Sequence, residues 1–243
     1  MHTIHLSSID STNTYAKEHA ATFPKEEITC ITADSQTKGR GRRGSPWLSP
    51  PGVNLYVTFY FRLPKTQPHL MALGLVLATS MASTLLIQGL HPQIKWPNDL
   101  QLNGKKFGGV LSETSLQGEA FDVFLGIGVN VNIDSEDLEA VGQPATSLRI
   151  ETGHTWDRNQ TLYNLQVQFQ RDLALFTQQG FAPFHPLCEK LLAYKGEKVR
   201  CLEGTHEWIG TYQTLAIDGR LQLKLLDGST HTLSTGEVHL RKI

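Results

Sequence analysis

Lys38-Gly39-Arg40-Gly41-Arg42-Arg43-Gly44, followed by Ser45-Pro46-Trp47, is the stretch on which the reading of the fold turns. Its first seven residues hold three glycines and four positive charges, with an aromatic ring just after. Glycines let a backbone approach a ligand closely, cations attract an anion, and an indole can stack on a flat ring. Gly39 to Gly44 also matches the GxGxxG spacing of dinucleotide-binding sheets. That motif must open a helix, and an acid should follow about 20 residues later to hold a ribose. Here Ser45-Pro46 and Ser49-Pro50-Pro51-Gly52 follow, and no Asp or Glu occurs between Asp34 and Asp99. A Rossmann sheet therefore fails its own context. A P-loop fails as well, because Ser45 stands where a lysine is required. What remains is a flexible loop that closes over an anion, against the competing reading of a solvated basic loop.

The neighbourhood favours the anion site. Lys38, Arg40, Arg42, Arg43, Arg62, Lys65 and Lys95 all fall in the acid-free stretch, although the whole chain of 243 residues has a formal charge of -1. Positive charge is thus concentrated locally, whereas a dedicated nucleic-acid binder would usually be basic overall. A composition of 40% hydrophobic and 19% charged residues fits a soluble globular protein. Cys30, Cys188 and Cys201 are scattered and form no CxxC, which suits a reducing compartment. Met1-His2-Thr3-Ile4-His5 has neither the basic nor the apolar part of a secretory signal, so a cytoplasmic location is expected. Leu70 to Leu90 is mostly apolar, but Thr79, Ser80, Ser83, Thr84 and Gln88 interrupt it. It reads as a buried core helix and not a membrane span.

Outward from the loop, Ile4 to Leu6 and Ile28 to Ala33 read as strands. A helix between them, capped among Asp10-Ser11-Thr12-Asn13, runs to about Ala21. Asn54 to Phe61 is a strong strand after the Pro50-Pro51-Gly52 turn. Ile94 to Trp96, Leu100 to Leu102, Lys106 to Glu113 and Phe121 to Val131 follow, with a hairpin at Asn103-Gly104. Asn159 to Gln179 and Pro183 to Tyr194 read as helices. Beyond Lys195-Gly196 come short strands at Lys198 to Leu202, Glu207 to Ile217, Leu221 to Leu226 and Thr230 to Arg241. They suggest a small β-barrel, and the expected division is residues 1–194 and 195–243.

Three further motifs carry chemistry. Lys95-Trp96-Pro97-Asn98-Asp99 ends a strand on an amide and a carboxylate. Asp99 could hold a metal, pair with a lysine or act as a base, or it could simply form an Asx turn. Lys105-Lys106-Phe107-Gly108-Gly109 places two glycines in a strand, a mark of close approach by a ligand or backbone. Strict alternation would set Lys106 on one face with Gly108 and Val110, and Phe107 on the other with Gly109 and Leu111. In Gly126-Ile127-Gly128-Val129-Asn130-Val131-Asn132 the glycines, Asn130 and Asn132 would share a face able to read a base, against the competing reading of a strand end with turn asparagines. The ten histidines form no HxH or HExxH pair, so no metal-histidine site is read.

Taken in order, Asp10-Ser11-Thr12-Asn13, Gln36-Thr37-Lys38-Gly39-Arg40-Gly41-Arg42-Arg43-Gly44, Trp47, Lys95-Trp96-Pro97-Asn98-Asp99, Lys105-Lys106-Phe107-Gly108-Gly109 and Gly126 to Asn132 resemble the biotin–protein ligases. The resemblance covers about residues 10 to 132, and the tail is similar to that family's small SH3-like domain. It implies an α/β (α+β) catalytic domain like that of class II aminoacyl-tRNA synthetases, followed by an SH3-like barrel. It implies ATP-dependent biotinylation of a lysine on a biotin carboxyl carrier protein, of acetyl-CoA carboxylase or a related carboxylase, through biotinyl-5′-AMP. ATP, biotin and Mg²⁺ are the implied cofactors.

By the matched motifs, Ser11, Thr12, Asn13 and Gln36 would bind biotin together with backbone from Arg40, Gly41 and Arg42. Arg42 and Lys106 would contact the carboxylate and α-phosphate. Trp47 and Asn130 would hold adenine, with Asn98 and Asn132 also at the ligands. Asp99 would position Mg²⁺ or the incoming lysine, so Lys106, Arg42 and Asp99 are the expected catalytic residues. Ser45-Pro46 is less basic than in many relatives. Because the first motif begins at Asp10, a ligase-only form without a DNA-binding domain is expected. DNA and membrane are not expected partners, and a homodimer is admissible. A lipoate or octanoate ligase or transferase of the same fold, or a non-enzymatic biotin-binding regulator, are the alternatives.

Overall fold

The computed structural model describes residues 1–139, 141–234 and the backbone of 241–242. In chain order the first part contains β1 His2–Leu6, α1 Thr12–His19, β2 Thr29–Ala33, β3 Leu55–Pro64, α2 Leu73–Ile87, β4 Gln93–Lys95, β5 Asp99–Leu102, β6 Lys105–Gln117 and β7 Ala120–Val129. Then come α3 Ser135–Glu139, α4 Leu148–Thr152, α5 Arg158–Gln179 and α6 His185–Leu191. The second part contains β8 Lys198–Glu203, β9 His206–Leu215, β10 Leu221–Leu225, β11 Thr230–Leu233 and β12 Arg241–Lys242. The expected strand through Arg241 falls partly on residues 235–240, which lie outside the described residues.

Seven strands form one sheet in the order β1-β2-β3-β7-β6-β5-β4. Only β1 and β2 run parallel; the other neighbours are antiparallel. β3 is an inner strand buried almost end to end, as expected of a strand covered on both faces. Its Val57, Phe59 and Phe61 pack with α2 and with Phe169 and Phe176 of α5. Its Tyr60 meets Ile31, Phe124 and the Ala16, Ala20 and Phe23 side chains of the α1 segment on the opposite face. The apolar helix is thus a core helix: residues Leu70–Ile87 are 72% buried.

Local chemistry explains most boundaries. Asn103 and Gly104 both have positive φ, 50° and 75°, as a two-residue hairpin turn with the strand twist requires. α6 is shorter than expected. Pro186 sits in its first turn, and at its far end sheet pairing takes over, since Ala193 N–H donates to Ile94 O. The short helices α3 and α4 carry too little periodicity to be read from sequence.

The second sheet is antiparallel, in the order β11-β10-β9-β8-β12. Its Val199, Tyr212, Leu221, Leu223 and Leu233 belong to the same apolar cluster as α2 and β3, so the two sheets share one core. Polar contacts made by Trp96 and Glu189 help to fix the junction. Trp96 Nε1–H donates to Gly219 O at 2.9 Å. Gly219 has φ +84°, and a Cβ there would stand 3.1 Å from Ala72 Cβ and Leu75 Cδ1. Glu189 of α6 accepts from Thr214 Oγ1 at 2.7 Å, from the Leu215 N–H and from Lys195 Nζ.

Burial alone would raise the Glu189 carboxyl, but the Lys195, Leu215 and Thr214 bonds outweigh it and hold it below its ordinary 4.5. A carboxyl lowered on folding stabilises the fold above its unfolded value and loses that contribution as pH falls through the folded value. Urea unfolding should therefore show Glu189→Gln less stable than the parent at neutral pH. The gap should narrow as pH falls below about 4.5. A gap independent of pH would contradict this role.

Candidate active site

A cavity of about 250 Å³ opens on the α1 side of the first sheet, between the glycine-rich loop and strands β6 and β7. Among the described residues lining it are five cations, Arg40, Arg42, Arg43, Lys95 and Lys106, and one carboxylate, Asp99. Such an imbalance suits a polyanionic ligand. Thr12, Asn13, Gln36, Gly41, Trp47 and Asn98 also line it, so most of the predicted residues converge here.

The loop from Gly39 to Trp47 is a small hairpin. Trp47 N–H donates to Gly39 O at 2.8 Å and Gly41 N–H to Ser45 O at 2.7 Å. Its tip turns through positive φ at Arg43 and Gly44. Gly39 is obligatory for another reason: a Cβ would lie 2.5 Å from Ser49 Oγ and 2.6 Å from Trp47 O. The loop leads towards β3 without opening an α-helix, consistent with the failure of the dinucleotide motif.

Lys106 Nζ lies 2.6 Å from Asp99 Oδ1, and both side chains are 18% exposed. The face predicted for Lys106 needs correction. β5 and β6 pair with a register shift, so that Leu100 opposes Gly108 and Gln101 opposes Lys106. This bulge puts Phe107 and Gly108 both in buried positions. Lys106 consequently lies over Gly109, where a Cβ would meet its Nζ at 3.4 Å, and not beside Gly108. Strict alternation fails because one extra residue is inserted.

Gly126 and Gly128 of β7 form the rest of a bare floor. A Cβ on Gly128 would be 2.5 Å from the Trp47 ring, and one on Gly126 would be 2.3 Å from Asn13 Oδ1. Lys106 Nζ sits 5.4 Å from the centroid of the Trp47 ring. Asn98 Nδ2–H donates to Val110 O at 2.9 Å, tying its segment to β6. Arg42 donates to Asn98 Oδ1 at 3.4 Å.

Ser11, Asn130 and Asn132 lie outside the lining residues. Ser11 is buried at the start of α1. Asn130 Nδ2–H donates to Thr146 O at 3.0 Å. Asn132 exchanges two 2.9 Å bonds with the backbone of Trp156. β7 ends at Val129, so the alternation that would carry both asparagines onto the glycine face stops there.

Thr12, Asn13 and Gln36, named from sequence, belong to a polar chain along the other end of the cavity whose members Glu113 and Thr58 the sequence reading missed. Glu113 accepts from Asn13 Nδ2–H at 2.9 Å, and Asn13 Oδ1 accepts from Thr58 Oγ1–H. Thr58 also contacts Thr12 Oγ1 at 2.8 Å, and Thr12 N–H donates to Gln36 Oε1 at 2.9 Å. Gln36 Nε2–H donates to Ser49 Oγ at 3.1 Å, which donates to Trp47 O at 3.0 Å. The clue to Glu113 was its phase: it follows Gly109 and Leu111 at intervals of two in β6.

Comparison with known proteins identifies the family. The model of the biotin/lipoate A/B protein ligase family matches residues 6–130. The bifunctional ligase/repressor BirA of Escherichia coli is 35% identical over 238 residues, covering 97% of this chain and 73% of its own length. The biotin–[acetyl-CoA-carboxylase] ligase of Paracoccus denitrificans is 33% identical, covering 90% and 92% of the two chains. The solved structure of the Aquifex aeolicus biotin protein ligase in complex with biotin and ATP superposes with a TM-score of 0.83 at 32% identity, covering 100% of this chain and 99% of that one.

The bare floor makes a steric prediction. β7 is hydrogen-bonded on both sides, to β3 and β6, so a methyl at Gly128 must displace the Trp47 indole and not the strand. Gly128→Ala should keep its far-ultraviolet circular dichroism, lose about 1–3 kcal/mol of stability, and change the near-ultraviolet aromatic signal. An unchanged near-ultraviolet spectrum would refute this packing.

Proposed function

The chain belongs to the biotin/lipoate A/B protein ligase family, and we propose that its cavity joins biotin to AMP and then passes the biotinyl group to a carrier lysine. The observation that carries this reading is the set of four cations, Arg40, Arg42, Arg43 and Lys95, around one Lys106–Asp99 pair on a glycine floor. The reaction brings a carboxylate against a triphosphate, two anions that repel. Fixed cations at the forming bond offset that repulsion, most strongly as negative charge builds in the transition state.

In this reading the biotin carboxylate oxygen attacks the α-phosphorus, and pyrophosphate leaves. Lys106 and Arg42 stabilise the reacting carboxylate and phosphate oxygens, and Trp47 packs on the adenine. The amine of the carrier lysine then attacks the acyl carbon, and AMP leaves. Asp99, already a partner of a lysine ammonium, would orient that amine or take its proton. Mg²⁺ fits as an ion brought by the nucleotide. Magnesium is commonly held by one or two carboxylates together with substrate phosphates, and Asp99 is the carboxylate that would hold it. When bound it would neutralise charge on the departing pyrophosphate.

Thr12, Asn13 and Gln36 support biotin over lipoate. A ureido ring offers N–H donors and a carbonyl acceptor to such groups, whereas a dithiolane offers neither. The polypeptide partner is a biotin carboxyl carrier protein of acetyl-CoA carboxylase or a related carboxylase. Residues 1–194 make up the catalytic unit and 195–243 the SH3-like unit. Cys30, Cys188 and Cys201 are free and buried, which supports a cytoplasmic setting. Incubation of a carrier domain with ATP and either biotin or lipoic acid, read by intact mass, tests the reading. One biotinyl adduct on one lysine is expected, and preferential lipoylation would overturn it.

Lys106→Ala should slow biotinyl-AMP formation by about 10²–10³ while leaving the fold intact. Exposed Lys105 is the control, and Lys105→Ala should change the rate little. Single-turnover assays of adenylate formation decide, and parental rates in Lys106→Ala would reject its assignment.

Arg42→Gly should release the intermediate. A hydrogen bond to a charged group contributes roughly 1.5–3 kcal/mol, so the adenylate should dissociate about ten to a hundred times faster. Free mixed anhydride acylates any nearby lysine. In a mixture of carrier and an unrelated lysine-rich protein, mass spectrometry should find bystander biotinylation with the variant alone. Adenylate formation without bystander labelling would show that Arg42 is not the latch.

A further inference from the structure

Glu113 lies outside the residues that line the cavity, yet it joins two cations, Lys17 and Arg40, at one carboxylate. It projects from β6 and is 22% exposed. Oε1 accepts from Lys17 Nζ at 2.6 Å and Arg40 Nη1 at 3.1 Å. Oε2 accepts from Arg40 Nη2 and Asn13 Nδ2, both at 2.9 Å. A carboxylate has about four acceptor sites, and all of these are used. The donors come from two separate segments, α1 and the glycine-rich loop, so one side chain ties both to the sheet.

The contacts have different consequences. The two Arg40 bonds form a bidentate pair, the geometry that best fixes a guanidinium. They secure the loop at its root, while Gly41, Arg42 and Arg43 beyond it line the cavity. The Asn13 bond sets which way that amide points. With its NH₂ on Glu113, its oxygen must face the Thr58 hydroxyl and the bare surface of Gly126. Thr58 then meets Thr12, and Thr12 meets Gln36, so the polarity of the whole chain of amides and hydroxyls starts from this carboxylate.

We infer that Glu113 is a positioning residue for ligand binding: it pre-orders the glycine-rich loop and orients Asn13, setting affinity for the ureido-bearing acid without touching the reacting atoms. The inference rests on the cavity being the biotin site, but its loop-ordering half can be tested without that premise. A pre-ordered loop costs less to close, so loss of the anchor weakens ligand binding more than turnover at saturation.

The test is Glu113→Gln, which keeps size and removes charge, with Lys17→Met as a comparison that removes another partner of the same carboxylate and leaves Arg40 in place. Limited trypsin digestion of the ligand-free protein reads loop order through cleavage after Arg42 and Arg43, which all the variants keep. Cleavage should be about tenfold faster in Glu113→Gln and near the parental rate in Lys17→Met. Steady-state kinetics should show the biotin KM raised roughly ten- to a hundredfold, with kcat within about threefold. If Glu113→Gln does not fold, Arg40→Gln reads the same contact from the other side and should give the same cleavage and KM. Unchanged cleavage or unchanged KM overturns the inference, as does a fall in kcat with KM preserved. Should the parental protein show no biotin-dependent activity, the functional reading fails, while the cleavage rates still decide whether Glu113 anchors the loop.

Discussion

The site depends on a stretch of sheet with no side chains. Gly109 of β6 and Gly126 and Gly128 of β7 present bare backbone, and Lys106, Asn13 and Trp47 lie directly on it. No residue with a Cβ could occupy Gly126 or Gly128 while these neighbours keep their places, because the added carbon would come within 2.3–2.5 Å of them. The arrangement puts three long polar or aromatic groups flat against a rigid surface. It thereby removes much of the freedom that such side chains would lose on binding a ligand. The strands that supply the floor are among the best-supported in the sheet, each hydrogen-bonded on both edges.

Concentrating cations over that floor has an electrostatic cost, and the structure meets it locally. Lys106 is paired with Asp99, Arg40 with Glu113, and Arg42 contacts the amide oxygen of Asn98. Burial alone would raise the Glu113 carboxyl, but Arg40, Lys17 and Asn13 together hold it below its ordinary value, so it remains a charged anchor at neutral pH. Paired cations stay in place when the cavity has no anion, and a triphosphate can still compete for them. The second sheet bears on the same machinery from behind. Trp96, two residues before Asn98, is pinned to the Gly219 carbonyl, which links the second sheet to the segment carrying Asp99.

Much of this was legible from residue order. The loop of Gly39 to Gly44 declared itself by its charge and by the proline-rich run that forbids a helix after it. The Asn103-Gly104 hairpin, the buried character of α2 and the strand-rich tail followed from turn chemistry and apolar runs. Lys106 was singled out for its neighbouring glycines, but with the wrong glycine, since a bulge inserts one residue and sequence alternation cannot show it. Glu113 was unread because its partners come from positions 13, 17 and 40, far away along the chain. Asn132 was placed by strand phase on the glycine face, whereas the strand ends at Val129 and its amide holds the backbone of Trp156.

The central claim is that cations over a glycine floor join a biotin carboxylate to an adenylyl group before any carrier takes part. Exchange of labelled pyrophosphate into ATP, without carrier protein, tests that step most directly. The account predicts exchange that requires biotin, is not supported by lipoic acid and disappears when biotin is withheld. Exchange that proceeds equally without biotin, or no exchange under conditions where a carrier domain is labelled, would contradict it.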